Sequence, residues 1–212
     1  DGGTFDWHAA PDRPGRYAEL CEPYEGFHGM VFAEESTVAP FALRARREGL
    51  RDFGAVMSPH NAFAVLQGVE TLGLRMGRHV ANARKVVDFL LAHPAVESVS
   101  YPELPSHPDY ELAKTLLPKG AGAVFTFNLR GDRAAGQRFA DNLKIFSHLA
   151  NVGDAKSLVI HPASTTHFRV PNEQLEQAGI TQGTMRLSVG LEDADDLIED
   201  LARGLKLSQK GA

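Results

Sequence analysis

Ser58-Pro59-His60-Asn61-Ala62-Phe63 opens the longest periodic stretch of this sequence, and its reading decides the architecture. Serine before proline is a helix start. The hydroxyl can accept from a free first-turn amide, and proline's missing N–H costs nothing there. Phe63, Leu66, Val69, Leu72, Met76, Val80, Ala83, Val87 and Leu90 then recur at helical intervals. The spacing predicts a helix over 59–92, bent once or twice because Gly68, Gly73 and Gly77 fall inside it, and ended by His93-Pro94. A helix of that length joins domains. The chain is therefore expected to hold parts of two, residues 1–75 and 76–212.

Downstream the pattern becomes α+β. Val96–Tyr101 alternates as a strand, and Pro102 and Pro105 force a loop. Tyr110–Leu117 is a short helix. Ala123–Leu129 is a strand with Ala123, Phe125, Phe127 and Leu129 on one face. Arg133–Leu143 is helical, Ile145–Leu149 and Ser157–Ile160 are strand candidates, and Met185–Val189 is another strand. Ala194–Leu207 is a final amphipathic helix, with Asp193, Asp195 and Asp196 at its start and Arg203 and Lys206 near its end, as the helix dipole favours. Upstream, residues 1–30 read as irregular, with turn chemistry at Asp12-Arg13-Pro14-Gly15. Phe5, Trp7, Tyr17, Tyr24 and Phe27 there are a candidate contact surface. Residues 31–50 are helical in parts.

The bulk numbers exclude several classes. With 43% hydrophobic and 23% charged residues, the 212-residue chain is that of a globular protein with a core. A net charge of −5 argues against nucleic acid or an anionic membrane as the main partner. One cysteine, Cys21, cannot staple a fold, which points to a reducing, cytoplasmic setting. No apolar run reaches the roughly 20 residues of a membrane span. The first residue is not methionine, so a fragment or a processed form is expected.

Glycine-rich phosphate loops and the nucleophile elbow are missing from the sequence. Its nine histidines show no metal spacing: His161 and His167 stand six apart with Pro162 between them, and no metal site is expected. Arg186 stands out. In Thr184-Met185-Arg186-Leu187-Ser188-Val189-Gly190 the apolar residues face a core, and Arg186 shares the other face with Ser188. About three such arginines in four are simply solvated. The sharper reading is a clamp, since a guanidinium matches both oxygens of a carboxylate. Asn151-Val152-Gly153-Asp154 reads as a tight loop, His161–His167 as a hydroxyl-rich turn, and the acids at 192–196 as a helix N-terminus.

Several stretches together carry a more specific signal. They are Ser58–Phe63, Gln67-Gly68-Val69-Glu70-Thr71-Leu72, Leu74–His79, Phe146–Leu158, His161–His167 and Arg186-Leu187-Ser188-Val189-Gly190-Leu191-Glu192-Asp193. In this order they resemble the Cys/Met-metabolism family of pyridoxal-phosphate (PLP) enzymes, over nearly the whole chain. Gly2-Gly3-Thr4-Phe5-Asp6-Trp7 and the loop Ala150–Lys156 resemble its O-acetylhomoserine sulfhydrylase branch.

The resemblance implies an α/β fold of PLP fold type I, like aspartate aminotransferase. This chain would then hold the end of the large cofactor domain plus a smaller α+β C-terminal domain. It implies Arg186 as the holder of the substrate α-carboxylate, Asn151 as a second contact to it, and Thr166 as an orienting group. Asn151 departs from the serine usual in related enzymes. No lysine here has the family's Schiff-base context, so no catalytic residue and no cofactor-binding residue is expected in this chain. PLP would be bound mainly by an upstream half. The implied reaction makes homocysteine and acetate from O-acetylhomoserine and sulfide. Methionine γ-lyase, a cystathionine γ-synthase or lyase, and a catalytically incomplete structural half are the alternatives. The implied partners are the upstream half and further copies in a homotetramer, a dimer of dimers.

Overall fold

The computed structural model describes residues 5–9 and 15–210. The opening stretch at Gly2–Thr4 and the turn at Asp12–Pro14 lie outside them. The chain divides into two compact units, Asp1–Gln67 and Gly68–Ala212.

The first unit has short helices: α1 (Ala18–Cys21), α2 (Phe32–Glu35) and α3 (Pro40–Arg44), the last running into a π-helical stretch, Ala45–Phe53. Its aromatics pack largely on one another. Phe5, Trp7 and Tyr17 form an edge-to-face triplet with centroids 4.9–5.7 Å apart. Tyr24, Phe27 and Phe32 form a second cluster, with the Arg44 guanidinium over two of its rings. Tyr24 Oη donates to Glu48 at 2.8 Å, and Arg44 Nε donates to the same carboxylate at 2.6 Å.

The expected 59–92 helix is two helices, α4 (Pro59–Glu70) and α5 (Leu72–Ala92). The break falls at Thr71, between the interior glycines. There the Arg75 guanidinium turns back onto the Gly68 carbonyl and reaches Thr71 Oγ1 at 3.3 Å. A side-chain donor thus satisfies a carbonyl that a continuous helix would satisfy from its own amides.

The second unit carries a five-stranded sheet in the order β1 (Val96–Ser100), β2 (Val124–Leu129), β5 (Thr184–Ser188), β4 (Leu158–Ile160), β3 (Ser147–His148). Only the β3–β4 pair is parallel. The helices are α5, α6 (Tyr110–Leu116), α7 (Arg133–Asp141), α8 (Asn172–Gln177) and α9 (Ala194–Ser208). Phe125 pairs with Leu187 and Phe127 with Met185, so alternation puts these four on one face. That face is buried with Val86, Leu90, Phe139, Leu197, Leu201 and Leu205 in one core. Burial of each large apolar side chain there stabilises by about 1.5–3 kcal/mol. Asp132 and Asp193 cap α7 and α9, accepting from Ala135 N and Asp195 N at 2.9 Å.

The strand expected over 145–149 shortens to two residues. The cause is Asp200, whose buried carboxylate accepts from the amides of Lys144, Ile145 and Phe146 and also meets Arg203. Those amides are therefore unavailable to a ladder. The short helix α8 carries no strong period in the sequence and was not expected. Among the described residues no helix is long and apolar enough to cross a membrane.

Candidate carboxylate-binding site

Arg186 stands on β5 between Thr126 of β2 and Ile160 of β4. Ser188, two residues on, lies on the same face beside Val124 and Leu158. The face is less open than alternation alone implied. Thr184 and Ser188 are both 5% exposed, while Arg186 is half-buried.

The turn at 151–154 meets this strand. Arg186 Nη2 donates to the Asn151 carbonyl at 3.3 Å. The Asn151 side chain is engaged elsewhere: its Oδ1 accepts from Val152 N at 2.9 Å, and its Nδ2 reaches Asp154 Oδ2 at 3.4 Å. Asp154 Oδ1 accepts from Lys156 N at 3.0 Å. That amide, followed by the Asn151 side chain, holds the Asp154 carboxyl below the usual carboxylate range. Gly153 has φ +78°, a left-handed conformation that glycine adopts without a Cβ penalty, so the turn can close here.

Arg186 and Asn151 are thus brought together, through the asparagine's carbonyl and not its amide. Thr166 is not joined to them. Its hydroxyl is 2.8 Å from His167 Nδ1, in an exposed turn after Pro162–Ser164. The buried polar side chain in that segment is His161. Its Nε2 donates to the Gln182 carbonyl at 2.8 Å, and its Nδ1 faces Ser164 Oγ at 2.7 Å. Burial pushes its pKa down.

No carboxylate among the described residues forms an ion pair with Arg186, and the Asn151 carbonyl takes one of the five guanidinium donors. The rest of the fork is available to an incoming anion. The 151–154 turn and Ser188 also line a mostly apolar cavity of about 280 Å³, with Met76, His79, Val124, Val152 and Gly153 in its wall; Arg186 itself is not part of that lining. His79 Nδ1 donates to the Val189 carbonyl at 2.7 Å, a bond that fixes its tautomer. The lining contains no lysine. The residues here therefore suit the carboxylate end of a small molecule and do not provide the amine that would hold PLP, so no step through the cofactor follows from them. A second cavity of about 290 Å³ is lined by Arg84, Glu103, Tyr110 and Lys114, and its Glu103 carboxylate is already taken by Arg84, Tyr101 and the Ala121 amide.

Residues 25–206 match the family described as Cys/Met metabolism PLP-dependent enzyme. This chain belongs to that family. Relatives of this chain include O-acetyl-L-homoserine sulfhydrylase of Leptospira meyeri, 45% identical over 97% of this chain and 48% of its own length. The homocysteine synthase of Schizosaccharomyces pombe is 44% identical over 98% of this chain and 48% of its own. The crystal structure described as a Campylobacter jejuni O-acetylhomoserine (thiol)-lyase superposes with TM-score 0.80 at 40% identity, over 92% of this chain and 46% of that one. It carries N'-pyridoxyl-lysine-5'-monophosphate at position 205. The α/β fold is accordingly that of PLP fold type I, and the chain spans about half the length of the curated relatives it matches.

Sequence reasoning missed the groups that support this site. Glu192 was grouped with the acids of a helix start, yet it bonds Ser157 and leaves capping to Asp193. Asn82 Nδ2 donates to the carbonyls of Gly190 and Glu192. No local signal marks partners that lie 35 and over 100 residues apart.

Proposed function

We propose that the enzyme to which this chain belongs makes homocysteine and acetate from O-acetylhomoserine and sulfide, with Arg186 holding the substrate α-carboxylate. The observation that carries the site assignment is the half-buried Arg186, whose guanidinium meets no carboxylate among the described residues and donates to the Asn151 carbonyl, in a turn whose Val152 and Gly153 line an apolar cavity. The names of the relatives support the reaction. PLP supplies the electron sink when bound. The part of this chain is to bind and orient. A two-point grip on the carboxylate fixes the rotation of the amino acid, so that its Cα–H bond keeps one direction. The Asn151 carbonyl holds the guanidinium in plane, and Thr166 lies outside this group of contacts.

The lysine, the phosphate partners and the cover for α4 are assigned to the other half of the enzyme. Within it, residues 1–75 end the cofactor domain and 76–212 form the small domain. The assembly is a homotetramer in the cytoplasm. In the complete enzyme, Arg186→Lys should raise the KM for the amino acid and lower kcat/KM by about 2–4 kcal/mol, the range for losing a desolvated bidentate pair. An unchanged KM removes Arg186 from the site. Assaying sulfide-dependent homocysteine against release of ammonia and 2-oxobutyrate tests the reaction itself.

A further inference from the structure

The loop that presents the Asn151 carbonyl leaves β3 and returns at β4, its parallel neighbour. Its return end is locked. Ser157 is fully buried, and both its donors go to one carboxylate: Ser157 N to Glu192 Oε1 and Ser157 Oγ to Glu192 Oε2, each at 2.8 Å. Ser157 Oγ in turn accepts from Gly190 N at 2.8 Å, and Leu191 N donates to the Ala155 carbonyl at 2.8 Å. The two strips lie so close that a Cβ on Gly190 would come within 2.4–2.6 Å of Glu192 Oε2, the Ala155 carbonyl oxygen and the Lys156 carbonyl carbon. Behind them, Asn82 and Arg78 of α5 hold the carbonyls of 190–192. The remaining residues of the loop are tied among themselves by Asn151, Asp154 and Lys156. A displacement of 155–157 is therefore transmitted to residue 151.

We propose that Glu192 is a positioning residue for the carboxylate clamp: by gripping Ser157 it places the Asn151 carbonyl against the Arg186 guanidinium. A bidentate carboxylate suits this because one rigid acceptor pair takes both donors of a single residue and leaves it no alternative rotamer. The inference rests on the reading of Arg186 as the carboxylate holder.

The test uses the complete enzyme and compares norleucine with pentylamine, its counterpart lacking the carboxylate, by calorimetric binding. Glu192→Gln and Ser157→Ala should each weaken norleucine about tenfold and leave pentylamine within about twofold. Amide exchange over 150–157 should rise in both. Equal weakening of the two ligands would mean a general structural role and overturn the proposal, as would no weakening. Should Glu192→Gln fail to fold, Ser157→Ala, which removes only a hydroxyl, decides alone. Arg186→Lys separates the two layers. If it weakens norleucine selectively while the Glu192 and Ser157 variants do not, the proposal fails alone. If it shows no such selectivity, the clamp reading fails and this inference with it.

Discussion

Two stretches of one hydrophobic period meet opposite fates. From His79 onward α5 buries seven residues, including Val80, Ala83, Val86, Val87 and Leu90. α4, just before it, buries none: Phe63, Leu66 and Val69 are each more than half exposed. The stripe continues through both helices in the sequence, but the sheet and α9 cover only its second part. The uncovered part is not a solvated polar face. Phe53, Val56 and Met57, just before it in the chain, are exposed as well, and exposed apolar side chains of this kind mark a contact with something further. A helical stripe thus states that a helix has a buried side, and leaves open which molecule or segment buries it.

The comparison is most sharply exposed by two phenylalanines on helices. Phe139→Ala, in the core of the second unit, should destabilise the chain by about 3–5 kcal/mol in urea unfolding followed by circular dichroism. Asp200→Ala should cost about 3 kcal/mol in the same experiment, since it strands three amides and Arg203 at once. Phe63→Ala, by contrast, should change the chain by less than about 0.5 kcal/mol, because its side chain is already wet. If Phe63 cost as much as Phe139, α4 would be covered within the chain and the contrast would fall.

The smallest effect is one of pH. Burial, opposed by the hydrogen bond to Gln182, keeps the folded pKa of His161 below its unfolded value. Well above the unfolded pKa both states are neutral and this residue adds no pH dependence. As pH falls from about 7 towards 5.5 the unfolded state takes the proton more readily, and stability is lost. Replacement by Asn should flatten this part of the urea-midpoint against pH curve. A flat curve for the unaltered protein would show that His161 is not held neutral.

Much of the second unit was legible because its signals are local. Alternation at 123–129 and 184–189, the i, i+4 stripe of α9 and the aspartates at its start each state their own structure within a few residues. Where reading failed, a distant group had intervened. Asp200 took the Ile145 and Phe146 amides that a longer β3 needed, and the helix breaks at Thr71, where Arg75 turns back onto the Gly68 carbonyl, instead of at a glycine. For the site, Arg186 could be singled out from its place on a strand, and Asn151 only through the family resemblance. Their contact could not, and neither could the lock between Ser157 and Glu192 or the turn of Thr166 towards His167.

The sequence by itself determined the periods, the caps, the turn at Gly153 and the family to which the chain belongs, since all of these are written in neighbouring residues or in their order. Tertiary structure alone decided which part of the long stripe is covered, which carbonyl faces the guanidinium and which acid grips the loop. Those outcomes depend on strand register and on close approach between segments far apart in the chain, and a linear pattern of residues carries no distance between them.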